Sequence, residues 1–271
     1  MVQAVLGYEA GAQAEVRISG ARASFIGQLL RLLGDTRLLF LFDSTGTTIT
    51  DKSRNARVLT WSKAVQTFDI PPVPLGYGTA VVFDGVDEEG DIPDAANLSF
   101  GDGAVDEPFS IVVLVNTDQI TAIASILAKA TFTTGSTARE WVFTQNGDGT
   151  WSFVVYDESA NANIAVTDTA ALTVGAWTLL VGTYDGTGAN TGLRIYKDAV
   201  QTSDSRGSSG TYVAMENTTA LVRLAFEQGA SGTIRFWDGR IALVALCAKE
   251  LTVDEVWNIK EWVNSWFGLS L

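Results

Sequence analysis

The sequence predicts an all-β fold, an antiparallel β-sandwich with a short helix before it and another after it. Two observations carry this. Strand-length runs recur along the chain, broken by Gly, Asp and Asn. The two stretches with helical spacing lie near the ends, so the pattern is not the alternation of strand and helix that builds a parallel sheet.

Residues 1–37 read as an N-terminal extension or arm, and residues 38–271 as one domain. Ala23–Gly34 is helical in pattern: Ser24 could cap it, Phe25, Leu29 and Leu32 share a side, and Gly34 sits just past its end. Two readings stay open for this helix, packing on the domain or docking onto a partner subunit. Leu38–Phe42 is a buried-type strand, and Asp43–Ala56 a polar turn region. Pro71, Pro72 and Pro74 mark a rigid extended connection. Strands are expected at Thr79–Asp84, Phe109–Asn116, Ile126–Ala130, Glu140–Thr144, Trp151–Tyr156 and Asn163–Asp168. Asn146–Gly149 is a hairpin turn signal. Trp177–Tyr184 and Leu193–Asp198 alternate around the loop Asp185–Gly192, a second hairpin. Ala220–Phe226, Thr233–Trp237 and Arg240–Cys247 complete the strands.

Thr252-Val-Asp-Glu255 is a capping box, which starts a helix. Along it Val256, Ile259, Trp262, Val263, Trp266 and Phe267 form one apolar stripe, with Trp257 off it. Such a stripe packs on the sandwich or on another subunit, so Phe25, Leu29, Trp262 and Trp266 are the candidate assembly residues.

Composition narrows the chemistry. With 46% hydrophobic residues in 271, the chain can bury a large core without cross-links. Its 18 basic against 31 acidic residues, net −13, argue against nucleic acid and anionic lipid as partners. There is no histidine, which removes Ser-His-Asp and Cys-His catalysis and His-based zinc sites together. The single cysteine, Cys247, lies in an apolar run and reads as a buried thiol. No apolar run reaches the ~20 residues that span a bilayer. The N-terminus has no basic start and carries Glu9 and Glu15 early, so no secretory signal is expected.

Five stretches, in order, then resemble a concanavalin A-like jelly roll of the laminin G-like type. They are Leu39–Asp43 with Gly46–Asn55, Val82-Phe-Asp-Gly85, Pro108-Phe-Ser-Ile111, the hairpin Leu172–Tyr196, and Trp237–Ile241 with Lys249–Glu255. Together they cover roughly residues 38–260. Two positions depart from the pattern: Arg54 and Ala199 stand where glycine is usual. The resemblance implies a domain that binds carbohydrate, protein or calcium, or acts as a spacer.

Candidate sites follow from both readings. Between Ala64 and Ala128 there are eleven acidic residues and no basic one. Asp51, Asp84 and Asp87 are the candidates for Ca²⁺, the one cofactor this pattern suggests, against the alternative of a solvated acidic face. For a saccharide, Tyr156 is the aromatic on the open face of its strand, since Trp141, Phe143, Trp151 and Phe153 alternate into the core; Trp177 is expected to be buried. Asp185 and Asn190 are the polar candidates in the hairpin loop. Glu89-Gly-Asp91-Ile-Pro-Asp94 is the nearest approach to the Glu-x-Asp-x-x-Glu of related glucanases, but it ends in Asp and Pro93 interrupts the strand.

The expectation is a non-catalytic binding or structural module, first a virus or phage decoration, fibre or adsorption protein that assembles as an oligomer. Its location would be virion or extracellular, and its partners carbohydrate or other viral structural proteins. A free lectin module and a glycoside hydrolase are the alternatives.

Overall fold

A computed structural model describes residues 20, 22–42, 46–62, 67–69, 78–133, 136–202, 204–228 and 234–271. Pro71, Pro72 and Pro74 lie outside them, as do residues 1–19. Two antiparallel sheets face each other. The first runs Val200–Gln201, Leu193–Lys197, Trp177–Tyr184, Phe109–Thr117, Asp238–Cys247, Ala80–Asp84 and Thr67–Asp69. Thr36–Phe40 pairs with the far half of Asp238–Cys247. This strand therefore crosses the boundary drawn at residue 37.

The second sheet runs Asp204–Ser209, Ala162–Asp168, Trp151–Asp157, Ser136–Gln145, Ala124–Thr133, Val222–Leu224, Gly90–Ile92, Val58–Trp61 and Thr48–Thr50. The expected Ala220–Phe226 strand is broken at Ala225, whose φ of 64° takes the left-handed region. The chain there leaves the sheet for a separate hairpin, Phe226–Gln228 with Ile234–Phe236.

All nine residues of Phe109–Thr117 are buried. The physical reason is that the first sheet has a core on each side. Ile111, Val113 and Val115 join the inter-sheet core with Trp141, Phe143, Trp151 and Phe153. Val112 and Leu114 point the other way, into a second core made with the two helices. The same division holds for Trp177–Tyr184: Leu180 and Tyr184 face the sandwich, while Leu179 and Val181 face the helices. Trp177 is only half-buried.

The N-terminal helix, α1, covers residues 22–33. The chain is already helical at Gly20 and Arg22, so Ser24 lies inside the helix rather than at its cap. Gly34 ends it with φ 69°, as expected. The C-terminal helix, α2, is Val253–Phe267, with both halves of the Thr252/Glu255 capping box formed and Gly268 left-handed at its end. Its stripe is buried as expected, and Trp257 is half exposed. Leu29 and Trp266 are fully buried and Trp262 is nearly so. The Trp262 indole donates to the Phe25 carbonyl at 2.7 Å, joining the two helices. The aromatic residues assigned to assembly thus pack within the chain; among the four, only Phe25 is partly exposed. No helix among the described residues is long and apolar enough to cross a membrane.

The glycine departures have distinct outcomes. Asp198 and Ala199 both take positive φ, 51° and 65°, so the turn there has the left-handed geometry that glycine favours. At the other position the left-handed residue is Ala56, φ 48°, and not Arg54.

Candidate functional site

The site is built where one end of the second sheet meets two loops. Ala124–Thr133 pairs with Ser136–Gln145 through Ala128↔Val142 and Lys129↔Trp141, then jumps to Ala130↔Arg139. Glu140 is the residue skipped by this bulge, and both Glu140 and Lys129 are fully buried. The Lys129 ammonium sits 2.7 Å from Glu140 Oε1, 2.9 Å from Asp94 Oδ1, and 3.0 Å from the carbonyls of Thr218 and Ala220. Glu140 Oε1 also accepts from the Thr218 N–H at 2.8 Å and hydroxyl at 2.6 Å. Burial pushes the Glu140 carboxyl up, and the neighbouring Lys129 charge opposes that shift. A buried charge without partners would cost several kcal/mol, so this pairing fixes the extended 216–220 segment against the sheet.

Asp106 makes the second anchor. Its Oδ2 accepts from the hydroxyls of Tyr184 and Tyr212, each at 2.6 Å, and its Oδ1 from the Met215 N–H at 2.8 Å. The Tyr184 hydroxyl in turn accepts the Gly188 N–H at 2.8 Å. Burial raises Asp106 despite these donors, and burial beside Asp106 raises both tyrosines. Two chain segments, 184–188 and 212–215, are thus tied to one carboxylate. Gly101 lets the backbones close up here, since a Cβ on it would stand 2.3 Å from the Met215 carbonyl oxygen.

Above these anchors lies a cleft of about 420 Å³ lined by Arg37, Asn97, Ser99, Asp102, Glu107 and Asn217, among others. Its walls are cross-braced. Ser99 donates to Asn217 at 3.1 Å. Asn97 accepts from Arg57 and donates to Asn55, which donates to the carbonyls of Thr36 and Arg37. Asp102 closes its own turn by accepting from Ala104 and Val105, bonds that hold its carboxyl below the usual range. The surface is rich in donors and acceptors on rigid supports, suited to a ligand with many hydroxyls.

The residues expected from sequence fall elsewhere. Tyr156 is on the outer face of the second sheet, half-buried beside Ala128, Ala130 and Val142, with the Arg139 guanidinium 4.7 Å over its ring. Burial pushes its hydroxyl up to about 12. Asp185 accepts from the Thr187 N–H and hydroxyl, closing its own turn. Asn190 helps hold that loop, its carbonyl accepting from Arg206. Asp51 is buried and accepts from the backbone of Ser53 and Arg57, organising the 51–57 turn. Asp84 accepts from the Val86 N–H, and Asp87 is exposed. Among the described residues no three of His, Cys, Asp or Glu gather as metal ligands, so Asp51, Asp84 and Asp87 do not form the shared cage expected of them.

The carboxylates of the glucanase-like stretch also diverge. Asp91 pairs with Arg223 at 3.3 Å and Asp94 with Lys129, while Glu89 is raised by burial and by Asp91. The strand ends at Ile92, just before Pro93. None of the cleft residues was singled out from sequence; a lysine inside the apolar run Ala124–Thr133 was the one available signal.

Comparison with known proteins agrees with this architecture. The laminin G-like family model described as concanavalin A-like lectin/glucanases superfamily matches residues 87–257. A search of curated protein sequences found no match. Among solved structures, domain 4 of AbnA, a GH43 extracellular arabinanase from Geobacillus stearothermophilus in complex with arabinotriose, is 17% identical. It superposes with a TM-score of 0.52 over 83% of this chain and 98% of that one. The binding domain of botulinum neurotoxin DC in complex with SialylT is 10% identical, with a TM-score of 0.56 over 85% of this chain and 52% of that one. A Trypanosoma rangeli sialidase mutant displaying trans-sialidase activity is 13% identical, with a TM-score of 0.58 over 95% of this chain and 40% of that one. This chain thus spans the arabinanase domain, about half of the toxin domain and less than half of the sialidase. Identities this low show a shared fold alone. The family match extends over more than half of the sequence, and the protein belongs to the concanavalin A-like lectin/glucanases superfamily as a laminin G-like domain.

Proposed function

We propose that the protein is a non-catalytic, lectin-like module whose rim cleft binds a saccharide. The observation that carries this is the cleft itself: amide, hydroxyl, guanidinium and carboxylate side chains on a floor anchored by Lys129–Glu140 and Asp106. Pre-placed polar groups of this kind give a hydroxylated ligand orientation without a large ordering cost. The non-catalytic part rests on Asp91 and Asp94, which are held in ion pairs with Arg223 and Lys129 rather than left free to face one bond. The setting we infer is a virus or phage particle, or another extracellular surface, with the module acting as decoration, fibre or adsorption protein. Its support is compositional: no histidine for catalysis and an acidic balance unsuited to nucleic acid.

Glycan-array screening followed by calorimetry tests the reading. Saccharide binding that falls about tenfold in Asn217→Ala and Ser99→Ala, with unchanged melting, is the expected result. Binding that ignores both substitutions, or no saccharide binding at all, would overturn it.

A further inference from the structure

The proposed cleft adjoins a second one, and arginines border both. The second cleft, about 700 Å³, is lined by Arg31 and Gly34 at the end of α1 and by Arg54 and Asn55 in the 51–57 turn, among others. The two meet at Thr36–Arg37 and at Asn55, whose Oδ1 takes the Asn97 amide at 3.3 Å. Arg31, Arg37, Arg54 and Arg57 thus collect at one rim of a chain whose net charge is −13.

The internal carboxylates leave this charge largely unanswered. Among the described residues Arg37 has a single ion pair, at 2.9 Å, with an Asp35 that is 63% exposed. An exposed pair of that sort contributes little and exchanges readily for another anion. Arg31 and Arg54 are exposed and have no ion pair among the described residues. Arg57 is answered by the nearby Asp51 and lies close enough to Arg37 for mutual repulsion, and the Nε atoms of both arginines are buried without a partner. A cluster of like charges with unused donors lowers its energy by accepting an anion. Asp102 and Glu107 also line the first cleft and repel an anionic group, so within its lining the attraction comes from Arg37. Guanidiniums match carboxylate and sulfate geometry alike.

We infer that the ligand is an acidic saccharide, its carboxylate or sulfate held by the Arg31–Arg37–Arg54 rim and its chain long enough to enter both clefts. This inference rests on the saccharide reading above and adds the charge and the length of the ligand.

The test uses matched probes on the full chain: tetragalacturonate against its methyl ester, and a chondroitin sulfate tetrasaccharide against its desulfated form. Calorimetry at low and moderate salt should show at least one acidic probe binding about tenfold tighter than its neutral or less charged partner, an advantage that shrinks as salt rises. Arg54→Gln and Arg31→Gln, both at exposed positions, should each weaken the acidic probe while leaving melting unchanged. Arg37→Gln should do so more strongly, and Arg37→Lys should restore part of the binding. Shortening the preferred probe to a disaccharide should cost affinity. Equal affinity for acidic and neutral partners would overturn the acidic ligand while leaving the saccharide reading in place. Acidic binding indifferent to all three arginines would overturn the location, and a disaccharide as good as the tetrasaccharide would overturn the two-cleft span. An empty neutral array together with failure of all four probes would overturn both this inference and the reading beneath it.

Discussion

Replacing Lys129 by Met removes the one cation that faces Glu140 in the floor of the cleft. Met keeps most of the stem volume, so little of the loss comes from a cavity. What remains is a fully buried carboxylate with its Thr218 donors, a partly exposed Asp94 without its ion pair, and two backbone carbonyls that lose their common partner. Removing one member of a buried ion pair costs about 3–5 kcal/mol, and the retained Thr218 bonds favour the lower end, about 3 kcal/mol. Urea denaturation at pH 7 measures this. The double variant Lys129→Met/Glu140→Gln should recover at least about 1 kcal/mol of it, because the uncompensated charge is gone. The sign of the pH dependence follows from the direction of the Glu140 shift. A carboxyl raised by burial binds its proton more tightly folded than unfolded, so stability falls as pH rises from the unfolded value towards the folded one. Lys129 limits that fall in the wild type. The gap between wild type and Lys129→Met should therefore be widest at neutral pH and narrow as pH drops towards the ordinary carboxyl value of 4.5. A loss under about 1 kcal/mol, or a gap that does not change with pH, would refute the reasoning.

Other substitutions probe the rest of the architecture. Trp266→Ala should destabilise by about 3–5 kcal/mol, because its fully buried ring stacks on Trp262 with centroids 5.1 Å apart; a thermal melt measures it. Gly182→Ala places a Cβ 2.8 Å from Phe143 and 2.9 Å from Phe153, and should cost about 1–3 kcal/mol by denaturant titration. Asp106→Asn turns one of the two oxygens that share three donors into a donor amide, and should cost about 1–3 kcal/mol with loosening of the 184–188 loop, seen by hydrogen exchange. Cys247, whose thiol burial pushes up to about 12, should resist a thiol reagent in the native protein and react at the rate of unfolding.

The strands were legible because their signals are local. Alternation placed Trp151–Tyr156 and Trp177–Tyr184, Asn146–Gly149 marked its hairpin, and Thr252 with Glu255 marked the start of α2 within three residues. Sequence pattern misplaced what depends on partners. Ala225 has nothing in its side chain to announce a left-handed break; it is held there by a bond from the Trp237 N–H to its carbonyl. Asp51 and Asp84 looked like ligands for a cation and Asp185 like a saccharide contact, yet each turned out to bond backbone a few residues away, a role equally natural to aspartate. The cleft was invisible because its members meet across long separations: Ser99 with Asn217, Asn97 with Asn55, Arg37 with the 96–107 loop. Only Lys129, a charge in the middle of an apolar strand, advertised that something unusual lay beneath.

The hydrogen bond from Trp262 to Phe25 has a mechanical meaning. It joins positions 237 residues apart, on two helices stacked over the same sheet face. Tension applied between residue 22 and residue 271 therefore loads the contact of α1 with α2 before it reaches the strands. Helix-on-sheet packing yields by peeling, one side chain at a time, whereas antiparallel strands pulled along their length must break several bonds together. The helical layer is thus a compliant clasp in series with a stiff body, and the clefted rim keeps its shape until that clasp has opened.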